Sequence, residues 1–309
     1  MKQIKVSLPA RWTDGGGIDS ALNDGQRLFD SKAKSVTFVV PTGCALKIGA
    51  CIRLLSIVNQ LAYLGAHVEI FFEEGQLGAM GYLSRMGFFE HLAPAVAVTP
   101  DRPDITGRQM YGGGNRGLIE IASLSTVKRD MELPDRLAKT AAALHSDKTR
   151  GERLGDAVFT VFSELIGNVY DHSATKLTGF AALQSYSKGR KGRTVEIAVS
   201  DSGLGILATL RPALLNQGHP YGDLDDAELL IKAVSEGVSK NGPGYGCGLH
   251  ISAQKALILS ANLEIRLPEC RMNLVPKATE YTQETMVYGY DGLPHIDGTH
   301  LCFDFYLDN

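Results

Sequence analysis

Between Asp156 and Ser173 the sequence reads DAVFTVFSELIGNVYDHS, and no other stretch limits the fold as much. Val158, Phe162, Leu165 and Val169 recur at helical spacing, which predicts a helix that buries one side. Glu164, Asn168 and His172 are spaced four apart and share a second face. A helix patterned in this way packs on a core while holding an acid, an amide and an imidazole over a site.

The chain has 309 residues, of which 44% are hydrophobic, enough for two domains with cores of their own. A net charge of -3 and a charged fraction of 21% exclude a bulk nucleic-acid or anionic-membrane surface. No run of 18 apolar residues is free of polar breaks, so no spanning helix is expected. The start, MKQIKVSLPARWTDGGG, has no apolar signal segment. Cys44, Cys51, Cys247, Cys270 and Cys302 are odd in number and show no CxxC spacing. They read as reduced thiols in a cytoplasmic protein, not as disulfides or zinc ligands.

Residues 1 to 100 alternate strand and helix. Ile4 to Leu8 is a short strand, and Gly15, Gly16 and Gly17 break the pattern after it. Ser35 to Val40 is a buried strand and Leu46 to Tyr63 an apolar helix. His67 to Phe72 is the next strand and Leu77 to Leu92 the next helix. Short connections of this kind predict an α/β layer. With SVTFVV, the helix GACIRLLSIVNQLAYLGA, HVEIFF and YLSRMGFFEHL in that order, the region resembles the STAS domain of anti-sigma factor antagonists. That family carries a regulatory hydroxyl at the start of its long helix. Ile48, Gly49, Ala50 and Cys51 stand at the matching place here. The resemblance therefore implies an interaction or scaffolding role more than a phosphorylated switch.

Residues 101 to 118, rich in Pro, Gly and charge, are the expected linker to a second domain at 119 to 309. Leu118 to Ser123 reads as an edge strand and Pro134 to His145 as a helix. Gly179 to Tyr186 and Arg193 to Ser200 read as paired strands, and the second alternates Val195, Ile197 and Val199 with polar positions. It runs into Asp201-Ser202-Gly203-Leu204-Gly205-Ile206. There a carboxylate at a strand end can accept an amine proton, and two glycines let backbone approach a ligand. A tight turn without chemistry is the other reading of that hexapeptide. Further on, Gly242, Gly244, Gly246 and Gly248 alternate just before a helix from Leu249 to Leu259. Such a loop offers free N–H groups and a positive helix end to phosphate. It matches neither GxGxxG nor GxxxxGK[ST].

With SELIGNVYDHS, DSGLGI, GPGYGCGLHI and Gly298-Thr299 before the strand Leu301 to Tyr306, residues 119 to 309 resemble the GHKL ATPases. That group joins gyrase, heat-shock chaperone, histidine kinase and MutL ATPase domains. The resemblance implies an α/β sandwich, a mixed sheet covered by helices, with ATP and Mg²⁺ held between sheet-end loops and a lid. It implies that Asn168 holds Mg²⁺ and that Glu164 orients or activates the attacking water or hydroxyl. Asp201 would read the adenine amine, with Gly203 and Gly205 shaping its pocket. Gly244, Gly246, Gly248 and Leu249 would wrap the phosphates, and Thr299 would hydrogen-bond near the base. His172 would reach a phosphate or a lid residue. Arg211, Lys232 and Lys240 are candidate γ-phosphate partners.

His145 lacks the acidic neighbour and following proline of a histidine-kinase phosphoacceptor, and nothing follows the last strand that resembles a transducer domain. The combination is similar to an anti-sigma serine kinase and its antagonist in one chain. The expected function is a Mg-ATP-binding regulatory protein that hydrolyses ATP slowly or transfers a phosphoryl group to a protein partner. The alternative is a non-catalytic nucleotide-dependent interaction module. Arg266 to Gly289 shows little periodicity and reads as an inserted loop for a partner or homodimer contact.

Overall fold

The computed structural model describes residues 2–24, 28–29, 33–104, 109–110, 115–125, 129–172, 175–189, 192–239, 247–278 and 283–307. It is a mixed α/β architecture with distinguishable N-terminal and C-terminal sheet and helix regions. In the N-terminal region the elements are β1 (Lys2–Ser7), β2 (Trp12–Thr13), α1 (Gly15–Asp24), β3 (Ala33–Val40), β4 (Ala45–Leu46), α2 (Ile48–Tyr63), β5 (His67–Phe72), α3 (Gly78–Arg85), α4 (Phe88–His91) and β6 (Ala97–Thr99). Strands β1, β3, β5 and β6 pair in that order, all parallel, as strand–helix alternation dictates. The helix expected from Leu77 to Leu92 is split at Gly87, which takes φ 77° between α3 and α4. The three glycines expected to break the pattern at 15 to 17 instead open α1. Asp14 caps that helix by accepting the Gly17 N–H at 3.0 Å.

The C-terminal region continues with β7 (Leu118–Leu124), α5 (Leu133–Leu144), α6 (Lys148–His172), β8 (Gly179–Gly189), β9 (Gly192–Ser200), α7 (Leu207–Asn216), α8 (Asp226–Glu236), α9 (Cys247–Ile258), β10 (Asn262–Arg266), β11 (Arg271–Ala278), β12 (Gln283–Tyr290) and β13 (His300–Tyr306). Its seven strands run β12-β11-β10-β13-β9-β8-β7. The resemblance implied a mixed sheet, but every neighbouring pair is antiparallel. Consecutive strands β8/β9, β10/β11 and β11/β12 close as neighbours, and β13 returns between β10 and β9, opposed to both. The expected inserted loop at 266 to 289 is a correction of the same kind. It holds the β11/β12 pair, whose charged and polar residues hide the strand period.

Helix α6 begins two turns before the expected Asp156. Asp147 accepts the Arg150 N–H at 2.8 Å and caps the start. Gly151, a residue that argues against helix in sequence, sits where a Cβ would meet Ala142 O at 2.6 Å, so α5 and α6 cross closely there. One face of the sheet carries the helical layer and the larger core, in which Val158 and Phe162 are fully enclosed.

The opposite face is covered by α2. Ile48 to Val58, Gln60 and Leu61 are all buried, so this helix is enclosed on every side, between the parallel sheet and the antiparallel one. Its first free N–H groups are taken by the second sheet: Ile48 donates to Tyr186 Oη at 2.9 Å and Gly49 to Glu196 Oε1 at 2.9 Å. Glu196 thus sits at the positive end of α2, and the Lys47 ammonium lies 3.1 Å from it and 3.6 Å from Asp304. Burial, with Glu196 beside it, pushes the Asp304 carboxyl up to about 7. The N-terminal core accordingly runs through Ile121, Phe180, Ala182 and Ala198 of the second sheet. The Ile121 N–H donates to Met86 O at 2.9 Å, so the two regions meet through packed surfaces on both sides of the expected linker. Cys44, Cys51, Cys270 and Cys302 are free. Among the described residues no helix is long and apolar enough to cross a membrane.

Candidate functional site

The buried stripe of α6 is the predicted one: Val158, Phe162, Leu165 and Val169 are each 5% exposed or less. Anchoring by that stripe turns Glu164 and Asn168 to its flank, where both line a cavity of about 220 Å³ together with Leu165 and Val169. Asp201, Gly205, Gly248, Leu249 and Thr299 line the same cavity. Four segments far apart in the chain therefore converge on one space.

Asp201 leaves the end of β9 and is held there by β13: its N–H donates to Thr299 O at 3.0 Å, one step beyond the Ser200–His300 pair of the ladder. Its Oδ1 accepts the Gly203 N–H at 2.7 Å. Gly203 therefore braces the carboxylate and is not itself among the lining residues. Burial pushes the Asp201 carboxyl up to about 6, against the opposing donors of Gly203 and Thr299. The approach of the two segments is close enough to demand Gly298. It takes φ 104°, and a Cβ there would lie 2.0 Å from Asp201 O.

At the other end of the cavity the first turn of α9 faces the acid–amide pair. A Cβ on Gly248 would stand 3.1 Å from Glu164 Oε2 and 3.6 Å from Asn168 Nδ2. Backbone of a helix start thus comes directly against a carboxylate and a side-chain amide, whose oxygens are hard donors of the type Mg²⁺ takes alongside phosphate oxygens. Gly244, Gly246 and Lys240 lie outside the described residues. His172 ends α6, and its side chain lies outside them too.

Two lid cations proposed from sequence are engaged elsewhere. Arg211 donates to Gly222 O at 2.7 Å, to Leu224 O and to Asp226, tying α7 to the start of α8. Lys232 pairs with Glu236 at 2.6 Å over the Tyr221 ring. Neither is among the residues lining the cavity. Apolar lining residues passed over in the sequence are Leu210, Ala233, Val238 and Leu301, with the polar Thr209 and Ser239. Their only signal was helical or strand periodicity, which does not separate a face turned to a ligand from one turned to a core. No protein-family model matches the chain, and no curated protein shows a significant match to it.

Proposed function

We propose that the chain is a Mg-ATP-binding regulatory protein of the GHKL kind, carrying a STAS-like scaffold, which hydrolyses ATP slowly or transfers its γ-phosphoryl group to a protein partner. The observation that carries this reading is the convergence of Glu164, Asn168, Asp201, Gly248 and Thr299 on one cavity. A buried carboxylate with an apolar surround suits the amine edge of adenine. Thr299 and the Gly203 N–H fix that carboxylate in place. At the far end, Asn168 and the first turn of α9 bind and orient the phosphates. Magnesium, when bound, neutralises phosphate charge. Glu164, beside Gly248, holds the attacking water or hydroxyl and accepts its proton.

The test is calorimetric titration with ATP in the presence and absence of Mg²⁺, together with phosphate release. Metal-dependent ATP binding that Asn168→Ala abolishes, and turnover that Glu164→Ala abolishes, are expected. A wild-type protein with no metal-dependent ATP binding sinks the proposal. Turnover that survives Glu164→Ala removes the catalytic half and leaves a nucleotide-dependent interaction module.

A further inference from the structure

Helix α2 belongs to the N-terminal region, yet its last buried polar residue reaches the segments that hold Asp201 and Thr299. Gln60 is 1% exposed and all of its amide is used on the second region. Its Nε2 donates to Ser202 Oγ at 2.9 Å and to Asp297 O at 2.9 Å. Its Oε1 accepts the Asp297 N–H at 3.1 Å. Ser202 follows Asp201 directly, and Asp297 stands two residues before Thr299. One turn earlier on the same helix, Ser56 Oγ lies 2.9 Å from Ser200 Oγ, which also contacts His300 Nδ1. His300 Nε2 returns to Asp297 O at 3.2 Å. The residues flanking both ligand-facing side chains are therefore held from behind by one face of α2.

This face is a sequence pattern as well. Gly49, Arg53, Ser56 and Gln60 recur at three- and four-residue steps within an otherwise apolar helix. A buried amide making three hydrogen bonds is expensive to leave half satisfied, so it fixes the separation of its partners within narrow limits. A carboxylate that reads an amine is sensitive to such limits, because hydrogen bonds weaken steeply with distance and angle.

Resting on the nucleotide reading above, we infer that Gln60 is a positioning residue for base recognition: by clamping Ser202 to Asp297 it sets Asp201 and Thr299 at the spacing that selects a 6-amino purine. The N-terminal region is then a working part of the specificity pocket.

The experiment uses the full chain and compares binding of ATP with that of purine riboside triphosphate, which lacks the exocyclic amine. Wild type should prefer ATP by about tenfold or more, as one charge-assisted hydrogen bond supplies. Gln60→Ala should cut that preference at least fivefold by weakening ATP while the amine-free nucleotide binds nearly as before. Asn59→Ala is the structural control. It removes contacts to His91 O and the Ala93 N–H inside the N-terminal region, so it should lower the melting temperature and leave the preference intact. Ser202→Ala should reproduce part of the loss, and the double variant should fall short of the sum. Should Gln60→Ala not fold, Ser202→Ala against Asn59→Ala carries the same comparison. A full wild-type preference in Gln60→Ala or, where it does not fold, in Ser202→Ala, or an equal loss in Asn59→Ala, overturns the inference while nucleotide binding stands. A wild-type protein that binds neither nucleotide overturns the parent reading, and this one with it.

Discussion

Asp201→Asn should make the protein more stable and disable its pocket, and the two effects should part company with pH. The carboxyl is 7% exposed, and burial raises its pKa from 3.8 to about 6. A folded-state pKa above the unfolded one means that the folded protein binds the proton more tightly. Ionised Asp201 therefore opposes folding above pH 6, and the penalty is relieved as pH falls from about 6 towards 4. At about 1.4 kcal/mol per pH unit, the full penalty at pH 7 is about 3 kcal/mol. Asparagine keeps an oxygen for the Gly203 N–H and carries no charge. Urea denaturation at pH 7.5 should show the variant more stable by about 1–3 kcal/mol, with the gap closing by about pH 4. Binding moves the other way: the variant should lose ATP affinity by about 10- to 100-fold at pH 7.5. Wild-type affinity should itself fall below about pH 6, where the protonated carboxyl no longer accepts from the amine. A variant less stable than wild type at pH 7.5, or a stability gap that ignores pH, would refute the account of Asp201 as a buried, strained charge kept for a ligand.

Glu164→Gln should leave ATP binding within about threefold and lower phosphate release by two or more orders of magnitude, read in a single-turnover assay. Gly298→Ala should be far worse than an ordinary surface substitution, since its Cβ meets Asp201 O; a melting-temperature loss matching that of Gly292→Ala, where φ is also positive but nothing stands within 4 Å, would contradict the close approach. Tyr186→Phe removes the acceptor for the Ile48 N–H at the start of α2 and should cost about 1 kcal/mol in urea denaturation, with ATP affinity unchanged.

The site was more legible than the fold that carries it. Glu164 and Asn168 follow from a helix period that the core enforces, so their shared direction was fixed once Val158, Phe162, Leu165 and Val169 were seen. Thr299 was legible only through its neighbours in a known pattern, because a lone Gly-Thr before a strand has no period. The β11/β12 pair was lost since β12 sits at the sheet edge and the alternation of Arg271 to Leu274 is broken by Val275, Pro276 and Lys277 and is not resumed at Gln283, Glu284 and Thr285. The docking of α2 was lost for a different reason. Periodicity shows an apolar helix with polar positions at Arg53, Ser56 and Gln60, and it does not show that the surface covering those positions comes from a region far along the chain.

That docking buries charge, and the arrangement of the charges makes its own prediction. Asp19 of α1, 2% exposed, accepts from Arg266 Nε at 3.1 Å and Arg271 Nη1 at 3.0 Å, with Arg53 Nη1 at 3.6 Å. Glu264 adds a second acid against Arg53. Three guanidinium groups thus share two carboxylates, and Arg53 has the most polar atoms left over: its Nε and Nη1 are buried without a hydrogen bond, against Nε alone on Arg271. Replacing Arg53 by methionine removes one charge from a cationic excess, leaves Asp19 with both Arg266 and Arg271, releases only the partly exposed Glu264, and fills much of the volume. Replacing Asp19 by asparagine takes the shared acid from Arg266 and Arg271 and leaves three largely buried cations with Glu264 alone, which pairs with Arg53. Breaking a buried network at its shared acid costs about 3–5 kcal/mol, whereas exchanging an imperfectly paired buried ion for an apolar chain is often near neutral. Asp19→Asn should therefore destabilise the protein by at least about 2 kcal/mol more than Arg53→Met in urea denaturation at pH 7.5. Equal losses would mean that Arg53 carries the junction by its hydrogen bonds and not by charge balance.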